Sequence, residues 1–137
     1  MLLDTNILIY AINADSPKNK EAQKFLESPT SRLEITHQNI LEAIRVLTHL
    51  KYSHPMKLQD ALSAISEITI HLEIVTPNKT SYYLALELIK KHQLIGNRIF
   101  DAYLAATALS NDITEIATDN DRDFKKFVGL KVVNPFK

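Results

Sequence analysis

The sequence contains no cysteine, which excludes disulfides and any thiolate metal centre. Glycine occurs only twice, as Gly96 and Gly129, in 137 residues. So few breakers, with no low-complexity tract, internal repeat or linker, point to a helix-rich chain with short connections. A single domain over residues 1–137 is the expectation. No apolar run approaches the ~20 residues that a membrane span requires. The opening MLLDTNILIYAI is apolar but lacks a basic leader and carries an aspartate, so it reads as structure and not as a signal peptide. A cytoplasmic location is the corresponding expectation. Excess charge is missing too, since sixteen basic side chains balance sixteen acidic ones. A basic surplus would argue for a nucleic-acid partner, and neutrality gives no such argument. Acids that bind a cation, however, carry part of their positive charge in the metal. The five histidines, His37, His49, His54, His71 and His92, show no tight metal spacing such as His-x-x-x-His. They read as structural or exposed residues without a catalytic role.

What is present is ordinary for a globular protein: 45% apolar and 23% charged residues. Helical periodicity recurs along the chain. Ser16-Pro17 predicts a helix start, with serine as cap and proline in the first turn, followed by Ala22, Phe25 and Leu26. Apolar residues at helical spacing predict helices from Gln38 to about His49 and from Lys57 to about Ile70. Thr76-Pro77 predicts another start before Leu84, Ala85, Leu88 and Ile89, and an alanine-rich helix is expected from about Arg98 to Leu109.

Strand candidates are short: Met1 to Leu3, Glu34 to Thr36, Glu73 to Val75, Glu115 to Thr118 and Lys131 to Val133. Each lies between helical segments, which rules out tight hairpins and favours parallel strands with helical crossovers. The expected fold is α/β, a three-layer α/β/α sandwich around a central parallel sheet of about five strands. In such sheets, sites form beyond the carboxyl ends of the strands, near the switch in strand order.

Acidic residues fall at those places. Asp4 follows the first strand, where its carboxylate can point into the crevice or join the cap of the next helix, with Thr5 or Asn6 as other cap candidates. Glu42 sits just off the apolar stripe of its helix, three residues before Arg45; it is either a site acid or half of a surface pair worth ~0.2–0.5 kcal/mol. Asp101 lies among Ile99, Phe100, Ala102, Tyr103 and Leu104, where a carboxylate is costly to bury. Its position in a first helical turn offers the dipole as a competing explanation. The segment Ala-Thr-Asp-Asn-Asp-Arg-Asp-Phe, residues 117–124, places Asp119, Asp121 and Asp123 around Asn120 after the fourth strand. Turn chemistry attracts such residues, yet so dense a cluster at a strand end exceeds what capping needs. Carboxylates brought together repel and require a cation to remain ionised. Hard oxygen ligands suit Mg²⁺ or Mn²⁺, and such ions activate water and stabilise charge in phosphodiester cleavage.

These residues also carry a resemblance. The opening Leu-Leu-Asp-Thr-Asn-Ile-Leu-Ile-Tyr-Ala, the Glu42 helix, the Asp101-Ala102 helix, the Thr118-to-Phe124 loop and the closing Val-Val-Asn-Pro-Phe resemble, in the same order, the PIN-domain family. The chain is similar in particular to the VapC-type toxins of prokaryotic toxin–antitoxin pairs. The resemblance implies an endoribonuclease dependent on Mg²⁺ or Mn²⁺, with Asp4 and Asp101 matching the principal metal ligands and Glu42 the third acid. Asn120 stands where many relatives carry aspartate, and Asp123 matches another frequently acidic position; Asn120 with Asp121 or Asp123 is expected to complete the set. Thr5, Asn6 and Thr118 are candidates to position acids or water, and Arg45 and Arg98 to contact phosphate. The implied partners are an RNA substrate, a small cognate antitoxin and a second copy of the chain in a homodimer. Apolar helices between residues 17 and 70 offer interface stripes, or simply face the core. Two other α/β families fit less well. A haloacid-dehalogenase-like phosphatase resembles Asp-x-Asp at its start, where this chain has Asn6, and a receiver domain needs an early acidic pair and a late lysine. A module that kept the fold and lost activity is the remaining alternative.

Overall fold

The structure, a computed structural model, describes residues 1–52 and 54–137. In chain order its elements are β1 (Leu2–Leu3), α1 (Thr5–Ile12), α2 (Asn19–Glu27), β2 (Glu34–Thr36), α3 (His37–Thr48), α4 (Leu58–Thr69), β3 (Glu73–Val75), α5 (Lys79–His92), α6 (Arg98–Ser110), β4 (Glu115–Ala117), α7 (Asp121–Phe124) and β5 (Lys131–Val133). All four strand pairings are parallel, in the order β3-β2-β1-β4-β5. The chain builds outwards from β1 through β2 to β3, then returns to the other side of β1 for β4. The switch in strand order therefore falls between β1 and β4, as the carboxyl ends of those strands open a crevice there.

Alternation along the strands divides the core. Leu2 and Ile116 face a layer that includes Leu88 of α5, the alanine-rich face of α6, and Phe124 and Phe127. Leu3 and Ala117 turn to the opposite face, against Ile7 of α1 and Phe25 and Leu26 of α2. Ile35 joins Leu8, Leu47, Ala61 and Ile65 there, which draws α3 and α4 onto the same side. The three layers follow from this two-residue period. The strands are only two or three residues long; burial concentrates in β1, β2 and β4, while β3 and β5 at the edges stay half-buried or exposed. Each large apolar side chain fully buried contributes ~1.5–3 kcal/mol. Gly129 supplies the turn before β5 with φ of +89°, a conformation that a side chain resists. Among the described residues no helix is long and apolar enough to cross a membrane.

Helix starts depart from the sequence expectations in an instructive way. α2 begins at Asn19 and not at Ser16-Pro17. Ser16 forms a turn instead, its hydroxyl and carbonyl accepting from the backbone N–H groups of Lys18 and Asn19. The Asn19 side chain then donates to the carbonyls of Tyr10 and Ala11, closing the end of α1. Likewise α5 is capped by Asn78 and not by Thr76-Pro77. Asn78 accepts from Thr80 and Ser81 while Ser81 Oγ accepts from the Asn78 N–H, a reciprocal capping box. At α1 the cap is Asp4 itself, so neither Thr5 nor Asn6 takes that place. The segment after β4, read from sequence as a loop, contains the single-turn helix α7.

Candidate active site

Asp4 ends β1 at the crevice. Its backbone N–H donates to the Ala117 carbonyl at 2.9 Å, continuing the sheet ladder by one residue. Its carboxylate does join the cap of the next helix, and both of its oxygens are engaged. One oxygen, Oδ1, accepts from the Thr5 N–H at 2.8 Å and starts α1. The other, Oδ2, accepts from Thr118 Oγ1 at 2.7 Å and from Asn6 Nδ2 at 3.0 Å, and so ties the ends of β1 and β4 together. Burial pushes the carboxyl above the ordinary range, as does the charge of Glu42, against the lowering effect of the hydrogen bonds from Thr118, Thr5 and Asn6.

Glu42 reaches this point from the first half of α3. Its Oε2 accepts from Thr5 Oγ1 at 2.9 Å and its Oε1 from Gln38 Nε2 at 3.1 Å. Arg45 is not its partner, so the surface-pair reading fails: the carboxylate looks into the crevice. Asn39, fully buried, donates to Thr5 Oγ1 at 3.0 Å and thereby aims the threonine hydroxyl at Glu42. Thr36 Oγ1 in turn donates to Asn39 Oδ1 at 2.6 Å and caps α3. Thr36 and Asn39 went unnoticed in the sequence because the helix was expected to begin at Gln38. A threonine three residues before an asparagine, at a strand end, was the available sign.

Asp101 lies in the first turn of α6, half-buried. Burial raises it to about 6, and the charges of Asp4, Asp123 and Glu42 push the same way, with Lys126 opposing. Four carboxylates from four parts of the chain therefore share one electrostatic neighbourhood. None of the four forms an ion pair among the described residues.

The remaining acids divide cleanly. Asp119 accepts from Tyr10 Oη at 3.0 Å, from Asn134 and from the Lys18 ammonium, whose charge lies 5.3 Å from the rings of both Tyr10 and Phe136. Despite the opposing effect of burial, these contacts hold Asp119 below its ordinary value. Asp121 accepts from Asn134 Nδ2 at 2.6 Å and pairs with Lys137 and Lys125, which holds it at about 2. Both are structural anchors. Asn120 instead donates through Nδ2 to Asp123 Oδ2 at 2.6 Å, and its N–H donates to Thr118 Oγ1 at 2.9 Å. Thr118, fully buried, is thus the hub joining Asp4, Asn6 and Asn120. Arg45 and Arg98 are exposed and unpaired among the described residues.

The sequence model of the PIN domain matches residues 1–130. The chain belongs to the PIN-domain family. It is 33% identical over 141 aligned positions to the ribonuclease VapC2 of Rickettsia felis, covering 97% of this chain and 96% of that one. A VapC ribonuclease of Mycobacterium bovis is 28% identical, with 98% and 95% covered. The fold is similar to that of a chain in a toxin–antitoxin complex from Klebsiella pneumoniae, with a TM-score of 0.70, 24% identity and coverage of 99% and 98%. The five-stranded parallel sheet matches that of the PIN-domain structural neighbours.

The donor set of this PIN domain fits a hard divalent cation. It is made of carboxylate oxygens, neighbouring like charges help to raise Asp4 and Asp101, and among the described residues no lysine or arginine pairs directly with it. Among the described residues no three acid or histidine side chains converge tightly enough to enclose an ion alone. A divalent cation that keeps several waters and takes only one or two carboxylates directly is compatible with that arrangement. A cleft of about 1090 Å³ lies elsewhere, between α1, α2 and α4 over the amino ends of β2 and β3, and contains none of these acids.

Proposed function

We propose that this chain is a metal-dependent endoribonuclease acting as the toxin of a toxin–antitoxin pair. One observation carries the catalytic part: Asp4, Glu42, Asp101 and Asp123 share one electrostatic neighbourhood at the β1–β4 crevice, none of them in an ion pair among the described residues, and Asp101 is raised to about 6. The named ribonuclease relatives, aligned over nearly the whole chain, support RNA as substrate. Asp4 and Asp101 are the proposed ligands of a Mg²⁺ or Mn²⁺ ion, which when bound polarises the phosphate and lowers the pKa of bound water. Asp4 is held for this role by Thr118 and Asn6, which keep its carboxylate in one orientation. Glu42, fixed by Thr5 and Gln38, accepts hydrogen bonds from the water that attacks phosphorus. Asn120 and Asp123, joined by a hydrogen bond, would hold water around such an ion. A small protein antitoxin and a second copy of the chain are the proposed partners, and one domain over residues 1–137 the proposed organisation.

The test is cleavage of a mixed RNA pool by the purified chain, with Mg²⁺, with Mn²⁺ and with chelator. Asp4→Asn and Asp101→Asn are run beside it, together with their thermal melts. Metal-dependent cleavage lost in both folded variants supports the reading. A folded wild type that leaves every RNA intact, or variants that cleave normally, would overturn it.

A further inference from the structure

A second, smaller pocket of about 380 Å³ opens directly beside Glu42. Its walls come from the first turns of α3, from Pro77 before α5, and from Tyr103 and Leu104 on α6, two and three residues beyond Asp101. The volume lies in the lower part of the ~300–1,000 Å³ range typical of ligand pockets. Its lining holds no lysine or arginine and one carboxylate, that of Glu42, so it is unsuited to a phosphate. The apolar walls are equally unsuited to a free cation. What matches is a neutral, flat group with a hydrogen-bonding edge. Leu41, Pro77 and the Tyr103 ring supply the flat apolar contacts. Gln38 spends one N–H on Glu42; its carbonyl oxygen and the ring nitrogens of His37 make no hydrogen bond among the described residues.

Because Glu42 belongs to both the pocket and the acid cluster, whatever fills the pocket sits next to whatever binds at the acids. We propose that this pocket receives one nucleobase of the RNA strand, immediately beside the scissile phosphate that a metal ion at Asp4 and Asp101 would hold, and so sets base preference next to the cut. The proposal rests on the ribonuclease reading for its substrate, and on the shared Glu42 wall for its position. A base stacked on an aromatic ring and apolar side chains accounts for roughly five- to a hundredfold in affinity.

The experiment uses labelled single-stranded oligoribonucleotides of about eight nucleotides, with one abasic site walked through every position. Binding to the whole chain is read by fluorescence anisotropy with Ca²⁺, and cleavage of the same strands is followed in parallel with Mn²⁺. Expected is one position at which removing the base weakens binding at least roughly fivefold. That penalty should vanish in Leu41→Trp, which fills the pocket from a side chain that is 65% exposed and so tolerates enlargement, and shrink in His37→Ala. Cleavage with a flat abasic profile, the outcome if a peptide or nothing occupies the pocket, overturns the base pocket and leaves the nuclease. So does a penalty that survives Leu41→Trp. A localised penalty without cleavage sustains the pocket and removes the nuclease, and neither binding nor cleavage removes both.

Discussion

Replacing Asp101 by asparagine should make the protein more stable and less active at once. The carboxylate is raised from an ordinary 3.8 to about 6 by burial and by three like charges. At ~1.36 kcal/mol per pH unit that sets a ceiling of about 3 kcal/mol on the penalty for keeping it ionised. Water reaches this half-buried group and screens it, which brings the expected gain to about 1–2 kcal/mol. Its pH dependence has a definite sign. The folded state binds this proton more tightly than the unfolded state, so the ionised group destabilises the fold above pH 6. The penalty fades as pH falls from about 6 towards 3.8 and is absent below that. Asp101→Asn should therefore melt roughly 3–8 °C higher than wild type at pH 7.5 in chelator, and at the same temperature near pH 3.8. Mn²⁺ should raise the wild-type melting temperature and leave the variant unmoved, while cleavage by the variant is lost. Calorimetric melts at both pH values decide the matter. A variant less stable than wild type at pH 7.5 would refute the electrostatic account of the cluster.

Thr118→Val, nearly isosteric, removes the donor to Asp4 and the acceptor for Asn6 and Asn120. We expect about 1–3 kcal/mol of lost stability in urea and Mn²⁺ affinity down roughly 10- to 100-fold by calorimetric titration. Asn120→Asp should tighten Mn²⁺ binding, because a further charge joins Asp123, and should lower stability in chelator; unchanged affinity would place residue 120 outside the ion's shell. Lys18→Met should cost up to about 1 kcal/mol, since the pair with Asp119 is partly exposed. Asp119 is depressed in the fold, so its contribution exists above the ordinary carboxylate pKa and is lost on acidification. The variant's acid-unfolding arm should accordingly move to higher pH, as followed by circular dichroism.

Sequence reasoning located the strands to within a residue and named the acids that meet at the crevice. Parallel strands with helical crossovers leave few topologies, and a strand-end aspartate in such a sheet has little choice of destination. It could not separate Asp119 and Asp121 from Asp123. All three share the same turn chemistry, and the distinction comes from Lys18, Asn134 and Lys137, which arrive from elsewhere in the fold. Asn39 stayed hidden for a related reason. A buried asparagine and a surface one look alike until Thr36 is recognised as the cap that fixes the helix register. Ser16 and Thr76 offered start signals, but α2 begins only at Asn19 and α5 begins under the Asn78 capping box.

The bond from Thr118 to Asp4 spans 114 positions of chain. That separation governs when the enzyme becomes an enzyme. A half-folded intermediate can hold a finished helix layer and still own no cleft, because its two walls are supplied by nearly opposite ends of the polypeptide. Closing so long a loop costs entropy that only the contacts at its ends repay. Hydrolytic competence should thus require β4 to be docked against β1. Protease nicks anywhere between them that let the halves drift apart would abolish it without touching one acid.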